Sequence, residues 1–94
     1  MEIIKFGASW CSPCAMFKPI YDKVMEQYPN IKNTSVEITT EEGEKIATQY
    51  GISSLPTVLI LDDGVEVDRI LGLCPVSLLE ERIKTALLHG ATRN

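Results

Sequence analysis

Near the start of this chain, two short stretches with the character of buried strand flank one amphipathic helix, and that unit leaves few architectures open. Ile3-Ile4-Lys5-Phe6 is an apolar run broken by a single lysine, and Thr34 to Thr39 alternates Val36 and Ile38 with Glu37. Between them Phe17, Ile20, Tyr21, Val24 and Tyr28 recur at helical spacing, which predicts a helix from Ser12 to Tyr28 closed by Pro29-Asn30. Pro19 inside it removes a backbone hydrogen bond and predicts a kink. A strand, a crossover helix and a second strand in one sheet form a parallel pair with a right-handed connection.

The rest of the chain extends that sheet. Thr39-Thr40-Glu41-Glu42 supplies an N-cap and acidic residues for the first turn of a short helix, which runs to Tyr50 with Gly51 just past its end. Pro56 to Leu61 and Val65 to Leu71 read as two strands joined by Asp62-Asp63-Gly64, a β-hairpin. Ser77-Leu78-Leu79-Glu80 has the pattern of a capping box, Leu79, Ile83, Ala86 and Leu87 fall on one helical face, and Gly90 predicts the stop. The order β-α-β-α-β-β-α is that of an α/β layer structure in which helices flank a sheet.

With 94 residues, the chain reads as a single domain over 1–94 that folds alone at 45% hydrophobic and 23% charged content. A formal charge of -4 and the absence of any Lys/Arg cluster argue against nucleic acid or an anionic membrane as partner. The longest apolar run, Val58 to Leu61, is far too short to span a bilayer, and the Met1-Glu2 start leads directly into a strand, so the chain reads as cytoplasmic.

Cys11 and Cys14 then need an explanation. Three cysteines are an odd count for a disulfide scaffold, and a reducing compartment disfavours structural disulfides. Zinc needs four ligands, and only Cys74 and His89 remain to complete such a site, with no second closely spaced pair. The other reading is a catalytic dithiol. A strand delivers the pair to the first turn of a helix, where unpaired N–H groups and the helix dipole stabilise a thiolate, most strongly at Cys11. Cys14 is near enough to bond with it, as thiol-disulfide exchange requires, and Pro13 is tolerated in the first turn.

Ala8-Ser9-Trp10-Cys11-Ser12-Pro13-Cys14 resembles the A-x-W-C-G-P-C run of the thioredoxin family, and the likeness continues through Ala15-Met16-Phe17-Lys18-Pro19. Tyr50-Gly51-Ile52-Ser53-Ser54-Leu55-Pro56-Thr57 resembles that family's Y-G-I-x-x-x-P-T, and Leu71-Gly72 fits the glycine closing its last strand. The resemblance implies a thioredoxin-like three-layer fold with a four-stranded mixed sheet and three helices, without the extra N-terminal strand and helix of full-length members. It implies a protein-disulfide reductase: Cys11 attacks a substrate disulfide and Cys14 resolves the mixed disulfide. It implies a cis Leu55-Pro56 bond facing the dithiol, with Trp10, Pro13, Leu55, Pro56, Gly72 and Leu73 as the docking surface.

No cofactor and no metal are implied, and the expected state is a monomer whose electrons come from a thioredoxin-reductase-type or glutathione-linked donor. The alternatives are a glutathione-linked glutaredoxin-like oxidoreductase, although that family usually carries C-P-Y-C and lacks Trp10, and a non-catalytic binding subunit built on the same fold. Ser12 replaces the usual glycine. Cys74 reads either as a third redox-sensitive thiol or as a small buried hydrophobe, and Met16 and Met25 as core.

In thioredoxins a buried aspartate stands six residues before the first active-site cysteine, near a lysine on the adjacent strand. The matching positions here are Lys5 and Glu37. The expectation is an ion pair with exchanged signs across adjacent parallel strands, since a lone buried charge costs several kcal/mol, on the order of the penalty for a desolvated ion. Glu37 would then serve as proton acceptor behind Cys14. The competing expectation is that Lys5 snorkels outward and Glu37 is solvated.

Overall fold

A computed structural model describes residues 1–92 of the chain, with side chains described through His89. The elements are β1 (Glu2–Gly7), α1 (Ser12–Met25), β2 (Lys32–Glu37), α2 (Glu41–Gln49), β3 (Thr57–Asp62), β4 (Val65–Leu71) and α3 (Val76–Thr92). The strands form one mixed sheet in the order β2-β1-β3-β4. β1 runs parallel to β2 and antiparallel to β3, and β3 and β4 are the two arms of the hairpin.

Alternation along β1 divides the core between the two sheet faces. Ile3 joins Phe17, Tyr21, Val24, Leu79 and Ile83, so α1 and α3 cover that side. Ile4 and Phe6 join Val36, Ala47, Leu59 and Leu61, so α2 covers the other. β3 sits between two strands with helices on both faces, which is why Val58, Leu59, Ile60 and Leu61 form an unbroken buried run. Asp63 and Gly64 both adopt positive φ, 53° and 81°, as the two-residue hairpin turn demands.

Several boundaries differ from those read off the sequence. α1 passes through Pro19 and ends at Met25; beyond it Gln27 and Tyr28 donate to carbonyls only three residues back, tightening the chain so that Tyr28 and Ile31 pack on the core. β2 begins at Lys32 because pairing with β1 starts at Glu2, and it stops at Glu37 because Thr39 and Thr40 turn into α2. β3 begins one residue late, at Thr57, since Pro56 has no N–H to donate. α3 opens on the Pro75 carbonyl, which accepts from Leu78 and Leu79, so Ser77 lies inside the first turn and is no cap. The same helix runs past Gly90 to Thr92: a helical glycine costs only about 1 kcal/mol, which does not compel a stop. Met16 is 61% exposed, on the opposite side of α1 from Phe17 and Tyr21, whereas Met25 is buried.

Candidate functional site

β1 ends at Gly7, and a tight turn in which the Cys11 N–H donates to the Ala8 carbonyl (3.1 Å) redirects the chain into α1. Cys11 is the N-cap of that helix, with extended backbone (φ −93°, ψ 107°), and its Sγ accepts a hydrogen bond from the Cys14 N–H at 3.2 Å. Sulfur thus occupies the place that a serine or aspartate oxygen usually takes, where an orphan amide and the helix dipole favour negative charge. Cys14, one turn along, is joined to Cys11 by a disulfide, with the α-carbons 5.3 Å apart. Gly7 lies directly beneath: a Cβ there would stand 3.5 Å from the Cys14 sulfur.

Two cavities meet at this bond. The inner one, about 330 Å³, is lined by Lys5, Gly7, Ser35, Glu37 and Pro56 together with both cysteines. The outer groove, about 470 Å³, is lined by Trp10, Pro13, Ile38, Ile52 and Leu55 with Cys11 alone of the pair. Cys11 therefore borders both cavities and Cys14 only the first; of the two, Cys11 is the more buried, 7% exposed, and Cys14 is partly exposed.

The predicted docking residues divide accordingly. Trp10 is 69% exposed at the groove's edge, with Pro13 and Leu55 beside it. The Leu55–Pro56 bond is cis, Pro56 is buried against the dithiol side, and its carbonyl accepts from the Gly72 N–H at 2.7 Å. Gly72 has φ 83°, which favours a residue without a side chain. Leu73 follows it, 43% exposed, but neither Gly72 nor Leu73 lines the two cavities. The spacing arguments missed Ile38, Ala47, Ser53 and Ser54 in the groove. Ile38 and Ala47 read only as ordinary apolar positions of a strand and a helix, and Ser53-Ser54 falls on the variable positions of the loop motif.

The expected Lys5–Glu37 ion pair does not form. Parallel register sets Ser35 beside Lys5 and Glu37 beside Gly7, one pair further on. Glu37 Oε2 instead accepts from the Ser9 N–H (3.1 Å), the Thr39 N–H (3.3 Å) and the Thr39 hydroxyl (2.7 Å). The Thr39 hydroxyl bond, then the Ser9 and Thr39 amides, outweigh desolvation and hold the Glu37 carboxyl below its ordinary range. Lys5 does not reach Glu37 and is only partly buried: its ammonium stands 4.7 Å from the centroid of the Tyr21 ring. Burial lowers its pKa, Asp22 raises it and Lys18 lowers it further. Tyr21 in turn donates its hydroxyl to Asn33 Oδ1, and its own pKa is pushed well up by burial and by Asp22.

Cys74, the remaining thiol, is buried between β4 and α3, and desolvation raises its pKa against an opposing Arg82. Among the described residues no cluster of His, Cys, Asp and Glu has the arrangement of a metal site, and no helix is long and apolar enough to cross a membrane.

Comparison with known proteins agrees with this geometry. The thioredoxin family model matches residues 1–85. Thioredoxin 1 of a Nostoc species is 36% identical over 85 residues, 90% of this chain and 78% of its own length. Thioredoxin 1 of Synechococcus elongatus is 39% identical over 77 residues, 82% of this chain and 71% of its own. The crystal structure of oxidized mitochondrial thioredoxin 3 from Saccharomyces cerevisiae matches the fold with a TM-score of 0.79 at 30% identity, over 89% of this chain and 76% of that one.

Proposed function

The chain belongs to the thioredoxin family and is a thiol-disulfide oxidoreductase acting on protein disulfides, and from that premise we propose the roles its own residues take in the exchange. Cys11, once reduced, is the attacking thiolate: its sulfur accepts the Cys14 amide and borders the outer groove. Attack on a substrate disulfide forms a mixed disulfide with Cys11 and expels the other substrate sulfur. Cys14, bonded to Cys11 one helical turn back and absent from the outer groove, then attacks Cys11, which releases the substrate dithiol and restores the Cys11–Cys14 bond. Trp10, Pro13, Leu55 and Pro56 form the docking surface. Leu55 offers backbone to an extended substrate segment, and Gly72 and Leu73 extend that surface along the chain that follows β4.

Glu37 is an anchor for the loop rather than a base. Its bonds tie Ser9, two residues before Cys11, to the end of β2, and a carboxylate that accepts three hydrogen bonds and titrates below its ordinary range is a poor proton acceptor near neutral pH. Electrons are returned by a reductase of the thioredoxin-reductase type. The protein works as a monomer in a reducing compartment such as the cytoplasm, where the dithiol is kept loaded.

The observation that carries this reading is the place of the Cys11 sulfur, which accepts the Cys14 amide at the helix N-terminus and alone of the pair borders the outer groove. It is tested by reducing a protein disulfide with the wild type, Cys11→Ser and Cys14→Ser. Cys11→Ser should be inactive, while Cys14→Ser should accumulate a mixed disulfide visible as a mass increase. Accumulation on the Cys11→Ser variant instead would reverse the assignment. Reduction by glutathione, with thioredoxin reductase inactive, would replace the donor.

A further inference from the structure

We propose that Lys5 is a positioning residue for the exchange, its ammonium supplying the standing positive charge that stabilises the thiolate carried by the reduced dithiol. This deepens the reading above and rests on it.

The placement follows from strand geometry. Lys5 and Gly7 are two residues apart on β1 and so face the same side, toward α1, with their α-carbons about 7 Å apart. The Gly7 α-carbon lies under the Cys14 sulfur, and Lys5 lines the same inner cavity as both cysteines. Its ammonium stands over the Tyr21 ring, itself fixed by its bond to Asn33 and its packing on Phe17. Among the described residues no carboxylate forms an ion pair with Lys5.

The other charged groups facing this space cannot take the same role. On α1, Lys18 is bound to Asp22 at 2.7 Å and both are largely exposed, so they act as a nearly neutral unit. On β2, Glu37 is committed to Ser9 and Thr39, while Ser35 and Asn33 are neutral. The β3 residue opposite Lys5 is Val58, and α3 presents the apolar Leu79 and Ile83 to this side of the core. Among the described residues Lys5 is thus the cation of this cavity that no carboxylate pairs, and its partial burial weakens the screening that water would impose.

Two-electron reduction by a dithiol donor breaks the Cys11–Cys14 bond, oxidises the donor to its disulfide and leaves two thiols. Loss of one thiol proton to water gives the thiolate on which Lys5 acts. A favourable charge in the same partly screened cavity changes proton affinity by about tenfold.

The test compares thiolate absorbance at 240 nm against pH for the wild type, Lys5→Met, Lys5→Gln and Lys5→Arg. The spectrum of each oxidised protein is subtracted, which cancels Cys74 and the tyrosines. Neutral variants should move the first thiolate transition upward by about one pH unit, and Lys5→Arg should restore it. Thermal melts of both redox states accompany each variant. An unmoved transition in a folded neutral variant overturns the proposal, as does an upward shift that arginine leaves in place. Failure of both neutral variants to fold would assign Lys5 to the fold and overturn it equally. The Cys11→Ser and Cys14→Ser assays read the exchange itself, so an unmoved transition with intact trapping on Cys14→Ser removes the role of Lys5 and leaves the exchange mechanism standing.

Discussion

Replacing Gly43 with alanine separates local preference from tertiary packing, because the two pull in opposite directions. Gly43 lies in the first turn of α2, where alanine is favoured by about 1 kcal/mol in helix propensity. A Cβ at this position would stand 1.9 Å from the Glu37 carbonyl oxygen, 2.7 Å from its carbon and 2.8 Å from Thr40 Oγ1. The two Glu37 atoms are backbone at the end of an edge strand, so no rotamer change removes the clash. The first contact is about 1.5 Å shorter than an ordinary one, and the helix must move away from β2.

That motion strains the cap of α2. The Thr40 hydroxyl accepts from the Gly43 N–H at 2.9 Å and donates to the Glu37 carbonyl at 2.9 Å. Overpacking at the upper end of its usual range, about 3 kcal/mol, plus about 1 kcal/mol for the cap, less about 1 kcal/mol of propensity, gives a net loss of about 3 kcal/mol. For a domain of this size the melting temperature should fall by roughly 12 to 24 °C. Because the side chain of Glu37 also holds the Ser9 amide beside Trp10 and Cys11, disulfide reduction should slow as well. Thermal and urea denaturation of the oxidised variant check the first figure. A variant that melts at or above the wild-type temperature would refute the reasoning, since it would mean that α2 slides on β2 without cost.

Trp10→Ala should lower kcat/KM for a protein disulfide by tenfold or more and leave the melting temperature nearly unchanged, because a 69% exposed ring contributes to docking and little to the core; equal turnover would remove it from the docking surface. Cys74 should resist alkylation in the native protein near pH 8 and react once denaturant is added, since burial raises its pKa and blocks access; labelling of the folded protein, read by mass, is the contrary outcome. Asp68 accepts from Arg82 Nε at 2.6 Å and Nη2 at 2.5 Å, tying β4 to α3, and these bonds are the main cause that holds its carboxyl below the ordinary 3.8. A depressed carboxylate contributes stability that is complete above about pH 4 and is lost as pH falls through the folded-state pKa. Asp68→Asn should therefore cost about 0.5 to 1 kcal/mol at pH 7 and nothing measurable at pH 2, by urea unfolding at the two values.

How far this chain can be read in one dimension depends on the range of the interaction. Element order, a hairpin turn within Asp62-Asp63-Gly64, a threonine cap and the Gly51 end of α2 were legible because each is written in neighbouring residues: a period, a hydroxyl three residues from an amide, a glycine where φ must be positive; that Asp62 still pairs with Val65, leaving a two-residue turn, was not. The Cys11–Cys14 pair belongs to the same class, since a sulfur at an N-cap and another one turn on are local geometry. Register and partner choice are not. The polar Lys32-Asn33 start of β2 is strand because Glu2 and Ile3 of β1 lie beside it, and no alternation of its own announces that. Lys5 and Glu37 have opposite charges on adjacent strands, yet Ser35 takes the place beside Lys5, the ring of Tyr21 holds its ammonium, and Ser9 and Thr39 hold the carboxylate. Which neighbour a charged side chain takes is a competition among groups far apart in the chain, and it is settled only when strand register and helix packing have fixed the distances among all of them.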